Sequence, residues 1–289
     1  MFLFAANPVP AGRVRTTWGA AGPLRRAGEA TLLVAVWMAI GAAVHAGPEE
    51  YLLLGIPLTA LFQVAVRRQP LRALWVRDAP PLRLPRLAWM VVVALAAVPV
   101  MDALGELVGR HWRPAAFNLA IAFGAYPAAY CFWNLTQSRM RQLTACVLLS
   151  LALDAVFRTV LWMMRLESGP HPLTGKALQT LALEIPIFIA TICVMEEVAF
   201  RGLIDTHIHR PGDGRGWLSA AYVSGLWGIW HLPILDTRGD SLVGVILLLL
   251  AAHVPVGIVM SMYWRRSGNL LVPGAAHAVL DAVRDAFFV

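Results

Sequence analysis

Ile185-Pro186-Ile187-Phe188-Ile189-Ala190-Thr191-Ile192-Cys193-Val194-Met195-Glu196-Glu197-Val198-Ala199-Phe200-Arg201 is an apolar run closed by two carboxylates and a guanidinium. Ionisable groups at bilayer depth cost about 2.5 to 3.5 kcal/mol each on insertion scales, so they face a protein interior or a wet cavity and act there. The whole chain fits this setting. Of its 289 residues 58% are hydrophobic and 14% charged, against about a quarter charged in soluble domains. The expected fold is all-α: a polytopic membrane helix bundle with an intramembrane polar cavity.

Apolar stretches long enough to cross a core of about 30 Å as helices run near 28–46, 51–66, 88–108, 114–135, 143–164, 178–200, 217–235, 241–263 and 268–288. That is eight or nine transmembrane helices, the second segment being the shortest. The first 27 residues carry Arg13, Arg15, Arg25 and Arg26 but no compact apolar stretch with a small-residue cleavage site, so the first span is expected to stay as an anchor. Cys131, Cys146 and Cys193 lie inside spans without CxxC spacing, and read as apolar packing residues.

The formal charge of +7 is unevenly placed. With the N-terminus cytoplasmic, one side holds Arg13, Arg15, Arg25, Arg26, the cluster from Arg67 to Arg86, Arg139, Arg141, Arg201, Arg210, Arg215, Arg265 and Arg266. The other side holds only Arg110, Arg113, Arg165, Lys176 and Arg238. This follows the positive-inside rule. Arginines divided among short loops do not form a nucleic-acid surface, and no nucleic-acid partner is expected. Membrane lipids are the expected surroundings. Abundant Ala and Arg with little Lys point to a bacterial source, hence to an inner, cytoplasmic membrane.

The polar chemistry is concentrated late in the chain. Residues 1–177 form N-terminal transmembrane helices with scattered charges, broken by the Pro- and Arg-rich stretch from Arg67 to Arg86; residues 178–289 form the candidate catalytic core. Three constellations lie in that core. In EExxxR, Glu197 and Arg201 are i and i+4 on one helical face and can pair, while Glu196 is rotated about 100° away. In Trp227-Gly228-Ile229-Trp230-His231-Leu232-Pro233 an imidazole follows an aromatic by four residues, just before a proline that loosens the helix. In His277-Ala278-Val279-Leu280-Asp281 an imidazole and a carboxylate share a face.

Depth joins them. The turn Arg210-Pro211-Gly212-Asp213-Gly214-Arg215-Gly216 separates two spans, the sixth continuing to His209 and the seventh beginning at Trp217. Glu196 precedes Arg210 by 14 residues and His231 follows Trp217 by 14, so both lie about 21 Å deep at 1.5 Å per residue. His277 and Asp281, counted from Arg266, lie roughly 16 and 22 Å deep. One layer thus collects Glu196, His231, His277 and Asp281. A carboxylate there can act as general base toward a water held by an imidazole, and a second polar pair can stabilise an oxyanion. The same four side chains can instead bind Zn²⁺ with water in the open position. The cofactor is therefore zinc or none, and the absent HExxH helix weakens the zinc reading.

EEVAFRG, WGIWHLP and HAVLD, in this order and all in spans, resemble the CPBP family of intramembrane endopeptidases, which includes type II CAAX prenyl endopeptidases and the bacteriocin-processing and immunity (Abi) group. The resemblance covers residues 178–289. It implies a helical membrane fold with a water-filled cavity, Glu196 activating water together with His231, His277 and Asp281 stabilising the oxyanion or completing the site, and Glu197 and Arg201 in support. It leaves metallo- and glutamate-dependent chemistry both open. Trp227 stands where the family has Phe, which keeps an aromatic wall. Asp281 stands where Asn is common; an ionised carboxylate would repel an oxyanion, so Asp281 is protonated, orients His277 or holds a metal.

Blander readings stand beside these. Glu197 with Arg201 reads first as a buried ion pair, as do Asp154 and Arg158 in the fifth span. Asp102, Glu106, Glu184 and His253 are weaker candidates for lining the cavity, and His207 and His209 read as solvated interfacial histidines. The leading expectation is an intramembrane endopeptidase acting on a membrane-anchored or lipidated protein or peptide. A catalytically inactive scaffold or immunity factor is one alternative. A transporter is the other, but no internal repeat or paired broken helix signals it.

Overall fold

The computed structural model describes residues 22–78, 81–210, 216–235 and 241–288; Arg13, Arg15, Arg215, Arg238 and the turn residues 211–215 lie outside them. Among the described residues the chain is helical, with one isolated β-bridge, Val76 to Asn269. The helices are α1 (Pro23–Ala43), α2 (Pro48–Leu61), α3 (Arg86–Val108), α4 (Trp112–Trp133), α5 (Gln137–Met163), α6 (Gly175–Ile192), α7 (Thr206–Ile208), α8 (Trp217–Trp230), α9 (Leu242–Ser267) and α10 (Leu271–Phe287). A π-helical turn, Phe62–Val66, continues α2, and a longer π-helix, Val198–Asp205, leads into α7. The architecture is the expected all-α polytopic bundle.

Helix limits follow local chemistry. Prolines open α1 and α2, where the missing N–H costs nothing. Thr136, Thr174 and Ser241 cap α5, α6 and α9 by accepting from Arg139, Ala177 and Gly244 N. α9 ends at Gly268, whose φ of 59° suits a residue without Cβ. The outer faces are apolar: Val93 and Leu148 are 66% and 62% exposed, as lipid-facing positions require.

Seven helices among the described residues are long and apolar enough to cross a membrane: α1, α2 with its π turn, α3, α4, α5, α6 and α9. Two expected segments are shorter than drawn. The 217–235 segment yields α8, 14 residues long, because Pro233 lacks an N–H and the chain turns at His231. The 268–288 segment yields α10, 17 residues long, because Gly268 to Leu270 are engaged in the bridge to Val76 and its neighbours.

The sixth expected segment is also corrected. α6 stops at Ile192, the chain turns through Cys193–Met195, and helix resumes at Glu196. The two glutamates therefore open a new helical segment rather than sitting in the middle of one. Every residue of its π-wound part is buried. Around it Trp37, Tyr51, Phe200 and Trp230 stack within 4.8 to 6.5 Å of one another. Tyr51 Oη donates to Trp230 O at 2.8 Å and Trp37 Nε1 to Tyr51 O at 2.8 Å, which ties the end of α8 to α1 and α2.

Candidate active site

Four elements meet at the α6 break. Glu196 and Glu197 begin the segment after it, Trp227 and His231 come from the last turn of α8, His253 from α9, and His277 and Asp281 from α10. The two glutamates diverge as their helical offset requires. Glu197 turns inward: its Oε1 lies 3.5 Å from Arg201 Nη1 and 3.1 Å from His277 Nδ1, with both charged side chains 0% exposed. Glu196 turns to the Nε2 atoms of two imidazoles, its Oε2 lying 3.9 Å from His231 Nε2 and 4.0 Å from His277 Nε2. The Glu196, His231 and Asp281 side chains keep 16%, 19% and 20% exposure, so the cluster is reachable.

Hydrogen bonds set the roles of the ring nitrogens. His231 Nδ1 lies 2.9 Å from Trp227 O, a carbonyl that can only accept, so Nδ1 carries the proton and the Nε2 of a neutral ring is left as an acceptor. His277 faces carboxylates from both nitrogens, Glu197 at Nδ1 and, 3.4 Å from Nε2, Asp281 Oδ2. N–H on both sides satisfies that arrangement. Asp281 Oδ1 accepts from Arg284 Nη1 at 2.9 Å, so the Asp281 carboxyl group lies between a guanidinium and the His277 ring. Of the three roles open to it, this geometry matches orientation.

Trp227 does more than form a wall. Its Nε1 donates to Glu196 Oε2 at 3.1 Å, a bond that a phenylalanine lacks. The Arg201 guanidinium carbon sits 4.6 Å from the centre of the same indole, a cation–π contact in a desolvated place. Trp227 thereby joins the outward pair, Glu196 and His231, to the buried pair, Glu197 and Arg201.

The weaker candidates divide. His253 enters the cluster, its ring 4.5 Å from that of His231 and 4.7 Å from that of Trp227, and its Nδ1 2.8 Å from Leu249 O. The signal for it was an imidazole in an otherwise apolar span; the close approach at Gly228, where a Cβ would meet His253 Cβ at 3.3 Å, could not be read from sequence. Asp102 is exposed on α3, and Glu106 bonds His111 at 2.9 Å, away from the cluster. Glu184 lies half-buried on α6, more than two turns before the break, within electrostatic reach of Asp281, Arg284 and Asp285 on α10. Asp154 and Arg158 pair at 2.8 Å and add Glu167 at 2.6 Å, a structural triad. His207 is corrected: it is buried at 5% and bonds Glu29 at 2.9 Å, with Phe62 edge-on to its ring.

The donor types Glu196, His231 and His277 suit zinc. A tetrahedral zinc with bonds of about 2.0 to 2.1 Å separates its ligand atoms by about 3.3 Å, less than the 3.9 and 4.0 Å found. Among the described residues no three His, Cys, Asp or Glu side chains form a group that holds a metal ion. Those gaps suit one bridging water, which sits about 2.8 Å from each partner.

Residues 178–283 match the family described as Rce1-like, type II CAAX prenyl endopeptidase. The matched segment is a little over a third of the chain and holds every residue of the cluster, and it supports an intramembrane endopeptidase in general terms. No curated protein and no solved structure matches the chain.

Proposed function

We propose that this protein is an intramembrane endopeptidase that hydrolyses a peptide bond in a membrane-anchored or lipidated protein or peptide, with Glu196 as the general base. The observation that carries the reading is the convergence of Glu196 Oε2 with His231 Nε2 and His277 Nε2, at 3.9 and 4.0 Å, at a helix break between apolar spans. A water between them gives one hydrogen to Glu196 and the other to His231 Nε2, and keeps a lone pair for attack. As its oxygen bonds the scissile carbonyl carbon, Glu196 takes the proton, and the carbonyl oxygen becomes an oxyanion. The Nε2–H of His277, oriented by Glu197 and Asp281, stabilises that charge. Glu196 then passes the proton to the leaving nitrogen as the C–N bond breaks. The chain acts in a bacterial inner membrane with its N-terminus cytoplasmic.

The test is cleavage of a panel of membrane-anchored candidate substrates by purified protein, wild type against Glu196→Gln, each with and without chelator. The expected result is cleavage by wild type and a loss of about 10²- to 10⁴-fold in the folded variant. Equal cleavage by both overturns the role of Glu196 and assigns the activity to another site or to a contaminant. Loss of wild-type activity on chelation would assign the water to a metal.

A further inference from the structure

The Pro- and Arg-rich stretch between α2 and α3 carries no residue of the cluster, yet it is not a surface loop. Leu74 and Val76 are 2% and 1% exposed, and the chain from Leu71 to Arg77 is wedged against three elements. Trp75 Nε1 donates to Cys193 O at 2.6 Å, in the turn that ends α6. Trp75 O accepts from Leu270 N at 2.8 Å, and Arg77 N donates to Gly268 O at 2.7 Å, at the entrance to α10. Gly202 lies so close that a Cβ there would stand 2.4 Å from Leu74 O. Just before the wedge, Arg67 Nη1 donates to Gly202 O at 3.2 Å.

These three elements carry the cluster. The turn at Cys193 precedes Glu196 by three residues, the π-wound segment carries Arg201, and α10 carries His277. A helix interrupted inside a bilayer presents carbonyls that water cannot reach, so protein donors must meet them. The wedge brings one such donor, the Trp75 indole N–H at Cys193, and Arg67 before it adds a guanidinium at Gly202.

We propose that Trp75 is a positioning residue for Glu196: its indole N–H pins the Cys193–Met195 turn and so sets the direction in which the Glu196 carboxylate leaves the next helix. Trp75 lies outside the matched segment 178–283, so the first half of the chain completes the site. Only the rate readout below rests on the peptidase reading.

Two variants are compared with wild type: Trp75→Phe, and benzothienylalanine at position 75, an indole isostere with sulfur in place of N–H. Arg83→Ala, at an exposed position of the same stretch, is the control. Amide hydrogen exchange over residues 193–199 reads the turn, exchange in α9 reads the rest of the bundle, and cleavage gives kcat and KM. Both Trp75 variants are expected to exchange about tenfold faster over 193–199, with α9 unchanged, and to lose about tenfold in kcat at constant KM. Arg83→Ala should match wild type. Wild-type exchange over 193–199 in the isostere overturns the proposal, as does faster exchange with undiminished kcat. Collapse of Trp75→Phe beside a wild-type-like isostere would assign the effect to ring packing and overturn it too. If wild type cleaves nothing, the peptidase reading fails, while exchange still decides whether the indole N–H holds the turn.

Discussion

Adjacent carboxylates have opposite duties because they leave the helix about 100° apart. Glu197 is spent on Arg201 and His277, while Glu196 keeps an oxygen facing two imidazoles and the Trp227 N–H. Arg201→Met removes the guanidinium from buried Glu197 and leaves it only His277, and should destabilise the protein by about 3 to 5 kcal/mol, read as a fall in the midpoint of thermal unfolding in detergent. Trp227→Phe preserves the aromatic wall and removes the bond to Glu196; a loss of about 10- to 100-fold in kcat with KM kept is expected, since hydrogen bonds to charged groups contribute about 1.5 to 3 kcal/mol. At Asp281 the pairings with His277 and Arg284 predict an asymmetry. Asp281→Asn still offers an oxygen to His277 and should lose less than about tenfold in kcat, whereas Asp281→Leu should lose about 10²-fold or more. Equal losses would show that orientation of His277 is not its role.

Helices here are shaped by where they stop. α8 ends where its histidine must face the cluster, α10 begins after a glycine turn, and α6 breaks so that the glutamates open a new helical segment. Close backbone approach then holds the pieces together. At Gly124 an added Cβ would stand 2.1 Å from Ala190 O, so α4 and α6 touch backbone to backbone there, two residues before α6 ends at Ile192. Gly124→Ala must push these helices apart, and overpacking of this kind costs about 1 to 3 kcal/mol. A thermal midpoint equal to that of wild type would show that the contact is looser than it stands. Gly105, with nothing within 4 Å of an added Cβ, is the matched control.

The bundle has two distinct ends. At one, Arg139 bonds Ser267 O, Arg77 bonds Arg265 O, and Arg265 forks onto Asp205, with 2.6 to 3.0 Å contacts. At the other, Arg158 meets Glu167, Arg113 meets Glu50, and His171 N reaches Phe287 O. Trp230 is tied to Tyr51, close to the start of α2, and Cys193 to Trp75, two residues before Arg77, so the cluster lies between the two ends. The wholly buried π-wound stretch runs from it to Asp205, which Arg265 holds at the arginine-rich end. In the proposed orientation, which follows the positive-inside rule, the arginine-rich end is cytoplasmic. Cysteine introduced at Leu173, 66% exposed in the α5–α6 connection, should then react with an impermeant maleimide on intact cells. Cysteine at the exposed Arg141 should react only after permeabilisation, and the native cysteines are buried. The reverse pattern inverts the topology.

Much of this was legible in the chain. Apolar run lengths decide membrane helices, because a bilayer leaves the backbone few other solutions. Charges within such runs mark the candidate site, and equal chain distances from one turn put Glu196 level with His231, now 3.9 Å apart. Helical offset alone separated the paired glutamate from the free one. What sequence does not carry is long-range packing. Nothing in the spacing of His253 or Trp75 says that one stacks on His231 and the other holds the turn before Glu196, 118 residues away. Nor does a run of apolar residues announce its own break, since Cys193 to Met195 are as hydrophobic as the helix they end. Run length, sign and period are local properties of a chain; which donor meets a freed carbonyl depends on how all the helices pack, and only the tertiary structure decides that.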